Sequence, residues 1–278
     1  VLANDFDIDS GDTKTVQGVA SGTPAGPLST GVGVKITGIY GCVTIAADGT
    51  WTYKLNNTSA ATQGLTQGEH VSDVFTYTMH DTLGSTASAT LTIDITGTND
   101  APTLADVNAG ALADTAANDS FSDLTGAMAG LDVDSGETAT LTYGTFDGLI
   151  AVNTAVTGLY GSLTVNLDGT YTYVADATAI NALHAGTYAD TFTVQTTDVN
   201  GATGTATFTV DVTGANDTPT LADVHTGTPT DTAANDSFAN LTGVLVGTDL
   251  DSGETATLSY AALDNGSATN AAVAGLYG

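Results

Sequence analysis

The chain contains an internal repeat, and this feature constrains its possible folds more than any other. The segment LDVDSGETATLTY at 131–143 returns 117 residues later as TDLDSGETATLSY at 248–260. The same offset relates ADTAANDSF at 113–121 to TDTAANDSF at 230–238. Two matched segments at one spacing indicate a duplicated folding unit. The sequence therefore predicts a tandem array.

A third, looser copy of the acidic segment, FDIDSGDTKTV, lies at 6–16. The segment GTNDAPTLADV at 97–107 precedes GANDTPTLADV by the same 117 residues. These matches place the unit boundaries near 100 and 217. We expect a first repeat without its first strand region, a complete second repeat, and the first half of a third; the predicted ranges are 1–100, 101–217 and 218–278.

The hydrophobic pattern is that of short β-strands. In CVTIAADGTWTYKL and SLTVNLDGTYTYVA, apolar and threonine positions alternate around Asp48-Gly49 and Asp168-Gly169, which favours hairpins. A second hairpin pattern closes each repeat, and only 56–65 and 176–186 can form a helical turn. This spacing predicts an all-β fold of tandem immunoglobulin-like or cadherin-like antiparallel β-sandwich repeats of about 117 residues.

The alternation also predicts which side chains face the core. In each repeat these are the apolar residues at every second strand position. The expected core residues are Val43, Ile45, Trp51, Tyr53, Phe75, Tyr77, Leu91 and Ile93 in the first repeat, and Leu163, Val165, Tyr171, Tyr173, Phe192, Val194, Phe208 and Val210 in the second.

The charge is strongly one-sided. The chain has 31 acidic residues against three lysines and no arginine, with a formal net charge of −28. Nucleic-acid binding is excluded because it draws its affinity from Lys and Arg contacts to phosphate. No apolar run approaches the ~20 residues of a membrane span, so direct membrane insertion is not expected. A single cysteine, Cys42, rules out an internal disulfide framework.

The repeated D-x-D-S-G-[D/E] cluster is a candidate site for a hard cation. Its aspartates precede a Ser-Gly bend, so their carboxylates are expected to converge with the following acid, and Ca²⁺ takes such oxygen ligands. An EF-hand is excluded, because Tyr143 stands where a glutamate ligand is required. The alternative is that these acids are solvated loop residues. The cluster candidates are Asp7, Asp9, Asp12, Asp132, Asp134, Glu137, Asp249, Asp251 and Glu254, with Asp81 and Asp198 as further candidates in turns.

The succession VLANDFDIDSGD, TIAADGTWTY, GEHVSDVFTYTMHD and LTIDITGTNDAP closely resembles the VCBS-type, cadherin-like repeats of giant bacterial RTX-type adhesins. The resemblance implies calcium-stabilised sandwiches that form an extracellular extender at the bacterial cell surface. It further implies that the Asn-Asp linkers supply junction ligands, here Asn99, Asp100, Asn216 and Asp217. The second linker departs from the family pattern as GANDTP, and the G-G-x-G-x-D nonapeptide of RTX proteins is absent.

These observations favour a calcium-rigidified extracellular spacer that projects distal binding modules in cell adhesion or biofilm formation, with neighbouring repeats of the same chain as its partners. One alternative is a fibre subunit whose chains associate laterally or end to end, because exposed strand edges can pair. Another is a carbohydrate-binding accessory module in which Tyr143 and Tyr188 stack on sugar rings. Catalysis is not expected, because neither H-E-x-x-H nor G-x-S-x-G occurs and the four histidines fall at non-equivalent positions.

Overall fold

The computed structural model describes residues 1–9, 11–225, 227–264, 267–271 and 273. The chain divides into two compact units. The first unit contains Val1–Ala105, Ala129–Tyr143 and Gln195–Thr205, and the second contains Asp106–Met128, Gly144–Val194 and Ala206–Gly278.

The first repeat folds into two antiparallel sheets that enclose a core. The first sheet has the order β1-β5-β6 and the second β2-β3-β4. The strands are β1 Thr15–Ser21, β2 Ile36–Thr37, β3 Gly41–Ile45, β4 Trp51–Leu55, β5 His70–His80 and β6 Thr86–Thr96, with the short helix α1 at Ala60–Gln63. The core cluster is Val16, Val19, Val43, Ile45, Phe75 and Tyr77.

The rest of the described chain continues the pattern of short strands. The elements are β7 Thr103–Leu104, β8 Val107–Ala113, β9 Leu124–Ala127, β10 Gly130–Leu131, a 3₁₀ helix Glu137–Thr140, β11 Thr142–Phe146, β12 Ala151–Val152, β13 Val156–Thr157, β14 Gly161–Val165, β15 Thr170–Ala175, α2 Ala177–Ile180, β16 Gly186–Thr197, β17 Thr203–Gly214, β18 Thr220–Leu221, β19 Gly247–Thr248, a second 3₁₀ helix Glu254–Thr257, β20 Ala262–Asp264 and β21 Ser267–Thr269.

The second repeat again forms two sheets, now with five and four strands. Their orders are β12-β11-β16-β17-β8 and β13-β14-β15-β9. The pairs β7-β10, β18-β19 and β20-β21 form separate two-stranded sheets. The predicted all-β fold of tandem two-sheet repeats is confirmed. One pairing, between β17 and β8, is parallel rather than antiparallel.

The predicted hairpins and helical turns are present. β3 pairs with β4 and β14 with β15, and the turn glycines Gly49 and Gly169 adopt left-handed φ values of 80° and 85°. Glycine tolerates this backbone because it lacks a Cβ. The second hairpin of each repeat is formed by β5-β6 and by β16-β17. Helices α1 and α2 lie within the two segments expected to make a helical turn.

The core prediction is confirmed for the second repeat, where all eight expected residues are buried. In the first repeat it is wrong for Trp51, which is 43% exposed, while Tyr53, Leu91 and Ile93 are half-buried. Among the described residues, β4 pairs with β3 alone, whereas β9 covers the equivalent strand β15. Trp51 therefore lies on an edge strand.

A buried aspartate organises the first sandwich. Asp73 is 1% exposed, yet its carboxylate accepts backbone N–H donors from Ile39 at 2.7 Å and Gly41 at 2.9 Å, and the Tyr53 hydroxyl at 2.7 Å. These donors satisfy a charge that would otherwise be costly to bury. Burial, aided by this bond, raises the pKa of Tyr53 above its ordinary value, so the hydroxyl stays protonated and keeps donating.

Asp190 has the same role in the second repeat. It is 2% exposed and accepts the Leu159 N–H at 2.7 Å, the Tyr160 N–H at 2.9 Å and the Tyr173 hydroxyl at 2.6 Å. Burial, aided by the bond to Asp190, likewise raises the pKa of Tyr173. In both repeats, one carboxylate therefore ties a loop and a tyrosine to a central strand.

Replacing Asp190 with alanine tests this role. The change leaves three donors without their acceptor, so we expect the free energy of unfolding to fall by about 3 kcal/mol. Differential scanning calorimetry or urea denaturation measures it. Asp123→Ala is the control, because Asp123 is exposed in the same unit and such a change stays within about 0.5 kcal/mol. Equal losses in the two variants would contradict the assigned role.

Candidate metal centres

The D-x-D-S-G loop has the same local structure in its second and third copies. In the second copy, the Asp134 N–H donates to Asp132 Oδ1 at 2.9 Å, and Gly136 has a left-handed φ of 85°. The copy at 249–254 repeats both features, with a distance of 3.0 Å and a φ of 84°. The glycine allows a sharp bend, after which a 3₁₀ helix begins at Glu137. The Thr-rich segment after the loop therefore starts as a helical turn.

Three carboxylates of the first unit form a cluster that we call the first acidic centre. It consists of Asp132, Glu137 and Asp198, with one oxygen of each lying within 4.8 Å of the others. Glu137 is 7% exposed and Asp198 is 6% exposed. Asp198 lies in the turn between β16 and β17, where its Oδ1 accepts the N–H groups of Asn200 and Ala202 at 2.8 Å each. Predicted candidates from a loop and from a turn thus come together.

The Asn-Asp linker contacts this centre through hydrogen-bond donors. The Asp100 N–H donates to Asp134 Oδ2 at 2.8 Å. The Asn99 side-chain amide donates to Asp198 Oδ2 at 2.8 Å and to the Asp100 carbonyl at 2.7 Å. Linker, loop and turn therefore meet at one place within the first unit.

Buried oxygens at this place lack donors. Asp132 Oδ2 and Asp134 Oδ1 are buried without a hydrogen-bond partner, and Asp134 is 2% exposed. Burial, followed by repulsion from neighbouring carboxylates, raises the pKa of Asp134 and Glu137. For Asp198, hydrogen bonds from Asn99 and the turn backbone outweigh burial and lower the pKa. Because a carboxylate only accepts hydrogen bonds, a cation is the natural partner for the remaining oxygens.

Three buried aspartates of the second unit interact electrostatically, and we call them the second acidic centre: Asp114, Asp217 and Asp251. Their exposed fractions are 6%, 1% and 2%. The Asp217 N–H donates to Asp251 Oδ2 at 2.8 Å, which repeats the linker contact of the first unit. Both oxygens of Asp217 and the Oδ1 atoms of the other two are buried without hydrogen-bond partners. Burial, together with the neighbouring carboxylates, raises the pKa of Asp114 and Asp217.

The other candidates of this unit lie around the second centre. Asn216 is exposed, and its amide donates to the Asp217 carbonyl at 2.8 Å. Asp249 Oδ1 accepts the N–H of Asp251. Glu254 lies beside His184, with 3.3 Å between Oε1 and Nδ1.

The looser first copy also forms a cluster. Asp7, Asp12 and Asp81 each place a carboxylate oxygen within 4.8 Å of the others. All three are half-buried, and Asp9 is exposed. Asp9 aligns with Asp134 of the second copy. Asp134 is buried, and it accepts the backbone N–H of the linker residue Asp100. Among the described residues, no linker N–H contacts Asp9 in this way.

Sequence reasoning missed three residues of these sites: Asp114, Asn200 and His184. Asp114 had a usable signal, because the acidic segment ADTAANDSF that contains it recurs in phase as TDTAANDSF. Asn200 belongs to an ordinary turn pattern. It enters the first centre because its side-chain amide donates to Glu137 Oε1 at 3.1 Å. His184 was interpreted as a loop or strand residue, since the histidines do not recur at equivalent positions.

The two tyrosines considered for sugar stacking have other contacts. Tyr143 is 9% exposed, and its hydroxyl oxygen accepts the Gly130 N–H at 2.9 Å. Tyr188 packs edge-on against Tyr160, with ring centroids 5.9 Å apart. Tyr143 therefore presents no open ring face for a sugar.

A sequence family matches most of the chain. The bacterial cadherin-like domain matches twice, over residues 1–97 and 99–214. The chain belongs to this family. Cadherin-like domains are extracellular structural or adhesion modules, stand in tandem, and generally bind calcium at inter-repeat sites. No curated protein matches the chain.

Solved structures similar to this chain come from cadherins. The EC21-23 segment of human CDH23 is 16% identical, with a TM-score of 0.41, and the match covers 91% of this chain and 78% of that one. PcdhgB3 EC1-4 is 15% identical, with a TM-score of 0.39 and coverage of 88% and 51%. Mouse PcdhgC3 EC1-3 is 15% identical, with a TM-score of 0.33 and coverage of 71% and 56%. The chain thus spans about half the length of the two protocadherin structures.

Hydropathy gives one further result. Within the described residues, no helix is long and apolar enough to cross a membrane.

The raised pKa values predict an unusual pH dependence for the metal-free chain. A carboxyl whose folded pKa is raised binds its proton more tightly in the folded state. Its stabilising contribution is therefore present at low pH and lost as pH rises through the folded pKa. We expect these groups to make the melting temperature in chelator rise as pH falls from neutrality toward the ordinary carboxyl range of about 4. The groups responsible are Asp114, Asp134, Glu137 and Asp217.

Circular dichroism melts in EDTA at several pH values measure this dependence. The double variant Asp134→Asn and Asp217→Asn removes one such group from each centre and should flatten the curve. The same pH dependence in the double variant and in the unsubstituted chain would contradict the assignment.

Proposed function

We propose that the chain is a calcium-stabilised extracellular spacer of a bacterial surface adhesin of the VCBS and RTX type. Its role is mechanical: it holds distal binding modules away from the cell in adhesion or biofilm formation. The observation that carries the proposal is the set of buried, partnerless carboxylate oxygens where each Asn-Asp linker meets the next D-x-D-S-G loop.

Calcium fits the chemistry of the first acidic centre. Asp132, Asp134, Glu137 and Asp198 supply carboxylate oxygens, and Ca²⁺ accepts about six to eight oxygen ligands in flexible geometry. The chain has only three lysines to compete for 31 acids. The proposed holders are Asn99, Asp100, Asp132, Asp134, Glu137 and Asp198 at the first centre, Asp114, Asn216, Asp217, Asp249, Asp251 and Glu254 at the second, and Asp7, Asp9, Asp12 and Asp81 at the N-terminal cluster.

The chain's own residues would couple the bound ion to the linkers. The N–H groups of Asp100 and Asp217 each hold one oxygen of a loop aspartate. The other oxygen of that aspartate remains available for an ion. The ion would supply a divalent charge that offsets the repulsion between neighbouring carboxylates. In this proposal, calcium therefore stabilises the linker against the following loop.

Calcium should stabilise the folded chain through these carboxylates. An ion that binds only the folded state adds about 2.7 kcal/mol when its free concentration is 100 times the Kd. Asp134→Asn should weaken this effect, because it removes a charge while an oxygen remains to accept the Asp100 N–H. Asp94→Asn is the matched control, because Asp94 is exposed on β6 in the same unit.

Thermal melts and isothermal titration calorimetry with CaCl₂ measure the effect after dialysis against chelator. We expect Asp94→Asn to behave like the unsubstituted chain and Asp134→Asn to lose at least tenfold in affinity at one site. Equal calcium affinity and stoichiometry in both variants would overturn the role of the first centre.

A spacer should also change its average dimensions with calcium. Carboxylate repulsion at the linkers favours a broader distribution of conformations when no ion offsets it. Small-angle X-ray scattering of the whole chain, with CaCl₂ and then with excess EDTA, measures the distribution of interatomic distances. We expect a narrower distribution with calcium. Identical curves would argue against a calcium-dependent spacer even if calcium binds.

One observation favours self-association into a fibre as a second candidate function. β6 is 11 residues long, and among the described residues it pairs only with β5, whereas the equivalent strand β17 also pairs with β8. An unpaired edge is a template for a strand from another chain. Sedimentation velocity over a hundredfold concentration range tests this alternative. A constant monomer mass argues against it, and electron microscopy shows whether higher masses are filaments.

A further inference from the structure

An imidazole lies beside the second acidic centre. His184 Nδ1 lies 3.3 Å from Glu254 Oε1 and 3.8 Å from Asp251 Oδ1. We call these three residues the His184 site. One ligand atom from each lies within 4.8 Å of the others. Of the three possible ligand clusters in the described part of the chain, it alone includes a nitrogen.

We propose that His184, Asp251 and Glu254 bind a zinc ion, which gives the chain a transition-metal site beside its candidate calcium ligands. The proposal rests on the proposed function to the extent that Asp251 and Glu254 are also candidate calcium ligands. It adds a transition-metal specificity that oxygen ligands alone do not provide, since imidazole nitrogen suits zinc, copper and nickel whereas carboxylate and carbonyl oxygen suit calcium and magnesium.

The spacing of the ligand atoms suits a small four-coordinate ion. Zinc binds imidazole nitrogen and carboxylate oxygen at about 2.0–2.2 Å, which places neighbouring ligand atoms of a tetrahedron about 3.4 Å apart. The observed separations of 3.3 Å and 3.8 Å bracket this value. Three protein ligands leave the fourth position to water or another group.

Asp251 supplies independent support for a ligand at this place. Its side chain is 2% exposed, and its Oδ2 is already engaged by the Asp217 N–H at 2.8 Å. Its Oδ1 is buried and has no hydrogen-bond partner. This same atom faces the imidazole at 3.8 Å, which is too far for a hydrogen bond. A buried carboxylate oxygen without a donor is a costly arrangement that a bound cation relieves.

Backbone contacts hold the histidine in this position. The Tyr188 hydroxyl donates to the His184 carbonyl at 3.2 Å. A Cβ built on Gly214 would lie 2.4 Å from the same carbonyl, so only glycine allows this close approach. The Ser252 N–H donates to the Ala182 carbonyl at 3.1 Å and ties the acidic loop to the segment before His184. The imidazole is still 52% exposed, so an ion can reach it from solvent.

The first unit provides a natural comparison. There a Cβ on Gly97 would lie 2.3 Å from the Thr66 carbonyl, and the Ser135 N–H donates to the Gly64 carbonyl at 3.1 Å. The backbone arrangement is therefore the same, with Thr66 in the place of His184. The Thr66 hydroxyl bonds to a glutamate of its own loop, Glu69, at 3.3 Å. The first centre consequently lacks a nitrogen ligand at this position.

The experiment uses the whole 278-residue chain, freed of metal with chelator and dialysed. Isothermal titration calorimetry with ZnCl₂ alone gives affinity and stoichiometry, and histidine ring signals in ¹H–¹⁵N spectra identify the imidazole that binds. His184→Thr installs the residue found at the equivalent position of the first repeat. His225→Thr is the matched control, because His225 is exposed elsewhere in the second unit.

We expect one zinc site, a loss of at least tenfold in affinity in His184→Thr, and unchanged affinity in His225→Thr. The ring signals of His184 should shift with zinc and stay unchanged with MgCl₂. Equal zinc affinity in both variants would show that carboxylates alone hold the ion and would overturn the proposal. Absence of zinc binding to the unsubstituted chain would overturn it too, leaving His184 as an ion-pair partner of Glu254 when the imidazole is protonated.

Calcium titrations of the same samples separate this proposal from the spacer function. Failure of zinc binding with calcium binding intact rejects the His184 site alone. Zinc binding without any effect of calcium rejects the calcium spacer and leaves the His184 site standing. Metal-free melts of His184→Thr check that the variant folds, so that a loss of zinc affinity reports on the ligand.

Discussion

The architecture of both acidic centres depends on one hydrogen bond. In each, the backbone N–H of the linker aspartate donates to Oδ2 of the second loop aspartate at 2.8 Å, from Asp100 to Asp134 and from Asp217 to Asp251. The bond brings a linker carboxylate beside loop carboxylates and buries the accepting side chain. It satisfies only one of the two oxygens, and the other is left without a donor. The hydrogen bond between linker and loop therefore leaves one buried carboxylate oxygen that a nearby positive charge would stabilise.

Aspartate has two distinct structural roles in this protein. Asp73 and Asp190 are buried in the sandwiches, but N–H and O–H groups surround their oxygens. Asp134 and Asp217 are equally buried but have too few donors. The difference lies in the number of available donors, since the chemical group and the degree of burial are the same. Because the chain has three lysines and no arginine, it offers few cationic side chains to offset this deficit.

The two centres share a backbone design but differ in their side chains. The first has the amide of Asn200 beside Glu137, and the second has the imidazole of His184 beside Glu254. Thr66 occupies the place of His184 in the first repeat, with the same glycine contact behind it. A tandem array can therefore keep one linker geometry while the chemistry of individual linkers varies. On the proposals made above, metal preference is a local property of each linker.

Much of the fold followed from patterns along the chain. The in-phase repeat, the alternating strands and the Asp-Gly turns predicted the sandwiches and their hairpins, because period-two burial and left-handed glycines are local requirements. The core of the second repeat was predicted in full. The predicted burial of Trp51 was wrong, because the burial of a side chain on an edge strand depends on whether another strand lies beside it.

For the sites, the sequence by itself determined which acids recur and that few lysines and no arginine are available to pair with them. The recurrence of D-x-D-S-G with Asn-Asp was enough to place linker and loop together, although the hydrogen bond that joins them is invisible in the sequence. Only the tertiary structure showed which oxygens are left without donors, that Asp114 joins the second centre, and that His184 faces Asp251. These features depend on distances between residues far apart in the chain, and such distances follow from the packing of the strands rather than from any local pattern.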